Sequence, residues 1–413
     1  MPKFVQCECS NTAFTSGFNS ACRTQWRLFT CAFLHKQPRI ELLILASYLP
    51  YSPLNMHKNF GLTLMVTHAC NLRCTYCYTG SKLHRVMNEA VGRKAIDRAL
   101  ASLAPGGTLE LGFFGGEPLL APELISTLIE YANYWASALD RNLQINVTTN
   151  GTQTSPAAWK VMTLPSMNLA LSCDGLPQAH DRHRRSLDDR GTSSVVVATV
   201  KKLLDAGKAF RVVMVVRPDN VESLPAGIQF LSGLGVRGID PSLDLWTQWG
   251  REDGARLEKA LRLSAEIWYT SLPNLSIGWF DERAARLAGV PISTTARCGY
   301  GDGELAVAPS GRLYPCERLI GEDSDDNPAR LPGHVFAGND FLGIPPADPR
   351  SADPCSDCGI RSFCSTTCRC SNFVRTGNVA KPDGLLCLFD QVCWRETARV
   401  LSASQPALFR VNA

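Results

Sequence analysis

The chain has 413 residues, of which 45% are hydrophobic and 19% are charged, and this combination excludes a disordered or fibrous protein. The formal net charge is only +4, from 42 basic and 38 acidic residues without a basic run, which argues against a nucleic-acid partner. The longest apolar stretch, residues 42–49, is too short to cross a bilayer, and the first residues lack a secretion signal. We therefore expect a globular, cytoplasmic protein of more than one module that does not bind a membrane.

The 17 cysteines are the most informative feature of the composition. Cysteines rarely persist as disulfides in a reducing cytosol, so this number indicates metal or redox chemistry. They fall into four groups, which are residues 7–31, residues 70–77, the isolated Cys173, and nine cysteines from Cys298 to Cys393.

Residues 1–55 show neither a long amphipathic helix nor the alternation of a sheet. Met56 stands shortly before the first predicted strand. We predict that Met56 is the true start and that residues 1–55 are an N-terminal extension of doubtful order. The alternative is a genuine but loosely ordered arm.

Residues 56–290 alternate apolar, strand-like runs with segments of helical periodicity, which predicts a parallel α/β sheet. Six such repeats do not close an eight-stranded barrel. We therefore predict a partial (β/α)6 TIM-like barrel, with a doubly wound sheet as the alternative, and chemistry at the carboxyl ends of its strands. The predicted strands are residues 62–67, 109–114, 143–149, 167–172, 210–216 and 236–240.

Three cysteines, Cys70, Cys74 and Cys77, follow the first predicted strand with three and then two residues between them. A compact loop of this kind can bind three irons of a cubane cluster and leave the fourth iron open to a cofactor. The alternatives are buried structural cysteines or a zinc site, for which His68 is the nearby candidate for a fourth ligand.

The turn Gly115-Gly116-Glu117-Pro118 follows the second predicted strand. Its two glycines allow the backbone to approach a ligand closely, and its carboxylate can accept hydrogen bonds from an ammonium group. Taken by itself, the same sequence is also typical of a simple turn that leads into a helix.

The cysteine triplet, with Tyr76 before its last cysteine, and the turn at residues 115–118 together resemble the radical S-adenosylmethionine superfamily. The resemblance implies that Cys70, Cys74 and Cys77 hold a catalytic [4Fe–4S] cluster. It also implies that residues 115–118 bind the amino group of S-adenosylmethionine (SAM) and that Tyr76 contacts this cofactor.

Polar residues at the later strand ends match further positions of the same superfamily. The resemblance implies cofactor contacts at Asn150, Ser172, Asp174 and Arg184. The alternative for the Asn-Gly and Asp-Gly pairs at residues 150–151 and 174–175 is an ordinary turn. Cys173 is interpreted as a small buried hydrophobic residue.

The sequence changes character after Asp281, where Gly and Pro become frequent. We predict a loop-rich, cysteine-dense auxiliary domain over residues 291–400, ordered by metal, and a tail over residues 401–413. The spacings of two, five and three residues within 355–368 indicate metal ligands. The alternatives are one zinc ribbon with spare cysteines or two clusters of four thiolates.

The complete array, with Gly311 placed before Cys316, resembles the SPASM domain found in radical SAM enzymes of the peptide-maturase type, which are related to anaerobic sulfatase-maturating enzymes. The resemblance implies two auxiliary [4Fe–4S] clusters. The ligands of the outer cluster would be Cys355, Cys358, Cys364 and Cys387. The ligands of the inner cluster would be Cys298, Cys316 and Cys368.

The inner cluster is thereby one protein ligand short. Either its fourth iron is open to a substrate thiolate, or it recruits Cys370 or a residue other than cysteine. Cys370 and Cys393 lie outside the matched positions and are interpreted as incidental.

The resemblance implies an enzyme that reductively cleaves SAM to a 5′-deoxyadenosyl radical and abstracts hydrogen from a peptide or protein. We expect cross-linking of a ribosomally made peptide through a C–C, C–O or thioether bond. The alternative is formylglycine formation by a sulfatase-maturating enzyme. Glu317 stands where those enzymes usually have an aspartate base, and its extra methylene favours cross-linking while leaving Glu317 as a candidate catalytic base.

The expected partners are the peptide or protein substrate, a low-potential electron donor such as flavodoxin or ferredoxin, and a separate leader-peptide-binding protein. Trp246 and Trp249 are weak candidates for contact with the peptide. An interpretation from another class is a non-enzymatic iron–sulfur electron carrier. A carrier has no need of the ammonium-binding turn at residues 115–118, which argues for the enzyme.

Overall fold

The computed structural model describes residues 56–290, 299–344, 355, 357–360, 364 and 368–402. Three predictions fall outside the described residues: the N-terminal extension 1–55, the tail beyond residue 402, and the ligand role of Cys298. From Met56 onward the described chain forms one compact unit. No helix in this part of the chain is long and apolar enough to cross a bilayer.

Six parallel strands form the centre of the fold, and each overlaps one of the six predicted apolar runs. They pair in chain order, without the reversal that defines a doubly wound sheet, so the described residues adopt the predicted partial-barrel arrangement. The strands are β1 (His57–Thr67), β2 (Leu103–Gly115), β3 (Asn142–Thr149), β4 (Met167–Ser172), β5 (Phe210–Val216) and β6 (Gly238–Leu243).

Helices connect the successive strands, as expected for parallel pairing. The first helix is capped by Asn88, the residue before it, whose side chain accepts a hydrogen bond from the Ala90 amide at 2.8 Å. The connecting helices are α1 (Glu89–Ala101), α2 (Pro122–Ala138), α3 (Pro156–Thr163), α4 (Pro177–His183), α5 (Ser193–Asp205), α6 (Leu224–Gly233) and α7 (Arg251–Thr270).

Three short strands extend the sheet beyond the predicted six. The two-residue strand β7 (Ser276–Ile277) pairs with β6 at one edge. At the other edge β8 (Glu304–Val307) pairs in parallel with β1, and β9 (Leu313–Tyr314) pairs antiparallel with β8. The segment predicted as the auxiliary domain therefore adds strands to the sheet of the barrel and covers the edge of β1.

Strand β1 is buried on both faces, which fixes the loop that follows it. Leu62, Leu64 and Val66 are fully buried in the main hydrophobic core between sheet and helices. Met65 points to the opposite face and packs in a second cluster with Ala306, Ala308, Tyr314 and Ile320. The C-terminal segment thus packs against one face of the strand that leads to Cys70.

Three more helices complete the described chain: α8 (Gly278–Leu287), α9 (Arg369–Thr376) and α10 (Gly384–Ser402). A buried ion pair between Arg283 and Asp390 joins α8 to α10. Cys393 of α10 is fully buried, and burial raises the pKa of its thiol to about 12. Cys393 is therefore protonated and suited to packing, whereas Cys387 lies half-buried in the first turn of the same helix.

Candidate active site

A cavity of about 180 Å³ lies at the carboxyl ends of the strands. Its wall includes the loop after β1 and the carboxyl-terminal parts of β2, β3, β4, β5 and β6. Pro118 and Asp174 are the cofactor-binding candidates that do not line it. The predicted residues that do line it are Cys70, Cys74, Tyr76, Cys77, Gly115, Gly116, Glu117, Asn150, Ser172 and Arg184.

The cysteine loop is held by hydrogen bonds to segments that follow other strands. Asn71 donates from its amide nitrogen to Thr152 Oγ1 at 2.7 Å and accepts from Asn150 Nδ2 at 3.0 Å. The backbone amides of Arg73 and Thr75 donate to the carbonyl oxygens of Arg185 and His183 at 2.7 and 3.0 Å. Asn150 thereby positions the loop that carries the three thiols.

The three thiols differ in their electrostatic surroundings. Burial raises the pKa of Cys70, and it raises the pKa of Cys74 to about 11. Burial also acts to raise the pKa of Cys77. However, Lys82 Nζ lies 2.9 Å from the Cys77 sulfur and brings the pKa of this thiol below its usual value. A cation beside the triplet favours binding of the thiolates to iron, because thiolate is the form that ligates metal.

The donor set fits a three-thiolate cluster better than the alternative zinc site. Three cysteines and no histidine line the cavity wall. His68, the candidate for a fourth zinc ligand, is buried elsewhere, with its Nε2 atom 3.9 Å from Asp323 Oδ2. Within the described ranges, no three His, Cys, Asp or Glu side chains are close enough to hold a single metal ion.

The two glycines of the Gly-Gly-Glu-Pro turn are required by the backbone that precedes Cys70. The amides of Gly116 and Glu117 donate to the carbonyl oxygens of Thr67 and Ala69, both at 2.8 Å. A Cβ atom on Gly115 would lie 2.5 Å from the Thr67 oxygen, and one on Gly116 would lie 2.4 Å from the Ala69 oxygen. The glycines therefore serve the close approach of two chain segments as well as access for a ligand.

Replacing Gly116 with alanine is expected to displace the start of the cysteine loop, because backbone oxygens occupy the place of the new methyl group. We expect the variant, purified and reconstituted without oxygen, to lose most of the iron that the triplet binds. Gly233→Ala is the matched control, since nothing lies within 4 Å of its new Cβ atom. Equal iron content in the two variants would contradict this role of the turn.

Glu117 is buried and accepts three hydrogen bonds from its own chain. Its carboxylate oxygens accept from Thr149 Oγ1 and the Asn150 amide, both at 2.7 Å, and from the Leu119 amide at 3.0 Å. Burial raises its pKa, and these bonds oppose the shift. A carboxylate has about four acceptor positions, so one remains for a ligand, while the bonds from Thr149 and Asn150 tie the ends of β2 and β3 together.

Tyr76, Asp174 and Arg184 form a second polar group beside the triplet. Tyr76 Oη donates to Asp174 Oδ2 at 2.6 Å, and Arg184 Nε lies 3.4 Å from the same oxygen. Asp174 Oδ1 accepts from the Val215 amide at 3.0 Å, which links the group to β5. Asp174 is thus placed behind the cavity wall, where it orients Tyr76 and Arg184.

Three charged lining residues were not identified from the sequence, namely Lys82, Asp244 and Arg318, whereas Trp246 was a candidate for contact with the peptide. The Trp246 ring stacks on Tyr78 with centroids 4.5 Å apart, and Trp246 is 42% exposed. Trp249 instead donates from Nε1 to the Asp244 carbonyl at 2.9 Å and is not part of the wall. The two tryptophans therefore differ in their contacts, which depend on the fold and could not be read from the sequence.

Glu317, the candidate base, does not line the cavity, whereas its neighbour Arg318 does. Glu317 Oε2 lies 3.4 Å from Cys316 Sγ. Cys316 is buried, and Cys368 is half-buried at the residue before α9. Burial raises the pKa of Cys387, and Cys355 and Cys358 raise it further, so these three predicted ligands of the outer cluster lie near one another.

The family model of the Radical SAM superfamily matches residues 64–231. The serine-type anaerobic sulfatase-maturating enzyme of Klebsiella aerogenes is 25% identical over 345 residues, which covers 77% of this chain and 81% of that protein. The PqqA peptide cyclase of Gluconobacter oxydans is 22% identical over 349 residues, which covers 78% of this chain and 89% of that protein.

A solved structure of native anSMEcpe with bound AdoMet shares the fold. It superposes with a TM-score of 0.69 at 18% sequence identity and covers 83% of this chain and 99% of that one. The α/β fold inferred from the sequence is therefore confirmed.

Proposed function

We propose that this chain binds SAM at a [4Fe–4S] cluster held by Cys70, Cys74 and Cys77 and abstracts hydrogen from a peptide or protein. The chain carries a radical S-adenosylmethionine domain and is related to enzymes that modify peptides and proteins. The observation that carries the proposal is the meeting of the triplet and residues 115–117 on one cavity wall. A [4Fe–4S] cluster held by Cys70, Cys74 and Cys77 would supply the single electron needed for reductive cleavage of SAM.

The residues of the chain provide binding and orientation. The backbone of Gly115 and Gly116 and the remaining acceptor position of Glu117 would receive the ammonium group of SAM. Lys82 and Arg318, which line the same wall, would bind its carboxylate by charge. Tyr76 and Arg184, which are both held by Asp174, line the same cavity.

Aromatic side chains would limit the access of water to the reacting atoms. Tyr78 stacks on both Phe114 and Trp246, with ring centroids 6.2 and 4.5 Å apart. The outer face of Trp246 is exposed and offers an apolar surface beside the cavity for part of a substrate. Exclusion of water protects a reactive carbon-centred radical from side reactions.

We propose peptide cross-linking as the reaction, in the cytoplasm, with flavodoxin or ferredoxin as the low-potential donor and a separate protein for leader binding. The position of Glu317 supports this choice over formylglycine formation. Its carboxylate lies beside the Cys316 thiol and outside the cavity wall, so it is not aimed at a substrate carbon held there. Two auxiliary clusters on the C-terminal cysteines would accept the electron that the substrate radical returns.

The reaction can be tested with two peptides, one encoded by a small reading frame beside the gene and one bearing the cysteine or serine of a sulfatase site. We expect the neighbouring peptide, incubated without oxygen with SAM and dithionite, to lose hydrogen and gain a cross-link seen by tandem mass spectrometry. Glu317→Gln should leave this product unchanged. Formylglycine in the sulfatase peptide, with no change in the other, would contradict cross-linking.

A further inference from the structure

A lysine contacts one of the three thiols that are predicted to bind the catalytic cluster. Lys82 Nζ lies 2.9 Å from Cys77 Sγ and also donates to Thr79 Oγ1, which lies 3.3 Å from the same sulfur. An ammonium group has three donors, so one remains after these two bonds. Because Lys82 also lines the cavity, it would bind the carboxylate of SAM there while it keeps its contact with the sulfur.

Two of the thiols accept different kinds of donor. Cys70 Sγ accepts a hydrogen bond from the neutral backbone amide of Leu72 at 3.3 Å. Cys77 Sγ accepts from the charged ammonium of Lys82. Charge-assisted hydrogen bonds are roughly twice as strong as neutral ones. Of these two donors, Lys82 is the one that brings a positive charge to the edge of the cluster site.

The loop that carries Lys82 is held on both sides. Before it, the backbone amide and the hydroxyl of Ser81 donate to Glu322 Oε1 at 2.7 and 2.9 Å. After it, Arg85 Nη1 donates to Asp323 Oδ2 at 3.1 Å. These two bonded pairs are 241 and 238 positions apart along the chain. The C-terminal segment therefore fixes the loop from which Lys82 reaches the sulfur.

The positive charge of Lys82 acts differently on the two oxidation states of an iron–sulfur cluster. Reduction adds one negative charge to the cluster, so a nearby cation stabilises the reduced form more than the oxidised form. Net charge and hydrogen bonds to the sulfurs are among the factors that set the reduction potential. Lys82 supplies both, and both raise the potential.

Two other roles would occupy Lys82 without the sulfur. One is a structural link to Thr79, and the other is binding of the SAM carboxylate alone. However, the Thr79 hydroxyl itself lies 3.3 Å from Cys77 Sγ, so the lysine and the threonine converge on the same atom. This convergence favours a role at the cluster.

We propose that Lys82 raises the reduction potential of the cluster held by the cysteine triplet, by donating a hydrogen bond from its ammonium group to the Cys77 sulfur. The step concerned is the transfer of one electron from the low-potential donor to the oxidised cluster, and no bond forms or breaks in it. Lys82 thereby favours the electron transfer that precedes cleavage of SAM. This inference rests on the proposed function in that it takes this cluster to exist.

The test is a redox titration of the full chain, reconstituted without oxygen and followed by EPR spectroscopy in the absence of SAM. The signal of the triplet's cluster is the part of the spectrum that Cys74→Ala lacks. Lys82→Met removes the charge and the donor and keeps a side chain of similar length. We expect the ratio of reduced to oxidised cluster at a fixed potential to fall about tenfold, which lowers the midpoint by about 59 mV for one electron.

Lys160→Met is the matched control. Lys160 is an exposed lysine of α3 that does not line the cavity, so its loss should leave the midpoint unchanged. Lys82→Arg keeps a charged donor and should recover at least half of the shift. Glu322→Ala frees the loop at Ser81 and should lower the midpoint by less than Lys82→Met does.

The proposal is overturned if the midpoint of Lys82→Met equals that of Lys160→Met or lies above it. It is also overturned if Lys82→Arg has the same midpoint as Lys82→Met, because the charge would then have no effect. If Lys82→Met binds no iron at the triplet, Glu322→Ala decides the question. A lower midpoint in that variant supports the proposal, and an unchanged one overturns it.

These measurements do not depend on cleavage of SAM. A wild-type protein that holds the cluster but fails to cleave SAM, while Lys82→Met shows the lower midpoint, would defeat the proposed function and leave this inference standing. Cleavage of SAM by the wild-type protein, with equal midpoints in Lys82→Met and Lys160→Met, would defeat the inference alone.

Discussion

Cys74→Ala is expected to abolish SAM cleavage, with a fall in 5′-deoxyadenosine formation of about three orders of magnitude or more, because the cluster that delivers the electron loses a ligand. Cys74 is the thiol that interacts with both other cysteines of the triplet and with Arg184. The measurement is 5′-deoxyadenosine by liquid chromatography after anaerobic reconstitution with SAM and dithionite. The variant should also lose the iron that the wild-type protein binds at Cys70, Cys74 and Cys77.

Two controls make this result specific. Cys173→Ala removes a buried thiol of the same barrel that does not line the cavity, and it should retain most of the cleavage. Cys358→Ala removes a proposed ligand of the outer auxiliary cluster, and it should retain part of the cleavage but form no peptide product. Undiminished cleavage by Cys74→Ala would show that the triplet does not hold the reactive cluster.

Glu117→Gln is expected to weaken SAM binding by about 10- to 100-fold. The reason is that the NH2 group of the new glutamine faces a buried donor that bonded to the carboxylate. One carboxylate oxygen of Glu117 accepts from the Asn150 amide and the other from Thr149 and Leu119. Glutamine keeps one acceptor oxygen, but its amide nitrogen is a donor and cannot accept the hydrogen bonds made to the other carboxylate oxygen. Binding is measured by anaerobic equilibrium dialysis of SAM against protein with an intact cluster.

Glu123→Gln is the control for Glu117→Gln. Glu123 is an exposed carboxylate in the first turn of α2, six residues along the chain, and its neutralisation should leave SAM affinity unchanged. A second readout is the thermal midpoint of the protein without SAM, which should fall for Glu117→Gln only. Equal SAM affinity of the two variants would contradict a role of Glu117 in the binding wall.

The six central strands could be predicted because each is an apolar run long enough to be recognised. Strands β7, β8 and β9 escaped prediction because they have only two to four residues each and are defined by their partners. The pairing of β8 with β1 is a contact between residues about 240 positions apart, such as Gly61 with Glu304. A local pattern carries no information about such a contact.

Asp323 shows a second limit of sequence reasoning. It lies in an acidic, proline-rich stretch predicted as loop, yet it is 2% exposed. Its carboxylate accepts from Ser310 Oγ at 2.8 Å, Arg85 Nη1 at 3.1 Å and Tyr314 Oη at 3.2 Å. Asp323 therefore connects the C-terminal segment to the loop after the triplet, a role that depends wholly on residues distant in sequence.

The residues of the candidate site could be named from the sequence, but their supporting contacts could not. Motif spacing identified the thiols and the turn at residues 115–117, since both are local and chemically distinctive. It did not show that Asp174 acts from behind the wall or that Arg318 lines the cavity while Glu317 does not. Those distinctions follow from side-chain direction, which residue type alone does not determine.

Reductive cleavage of SAM is tested most directly with the wild-type protein, reconstituted without oxygen and incubated with SAM and dithionite. We expect 5′-deoxyadenosine and methionine in equal amounts, together with a change in the EPR spectrum of the reduced cluster when SAM is added. Intact clusters with no 5′-deoxyadenosine and no spectral change would contradict it. That outcome would favour a non-enzymatic electron carrier.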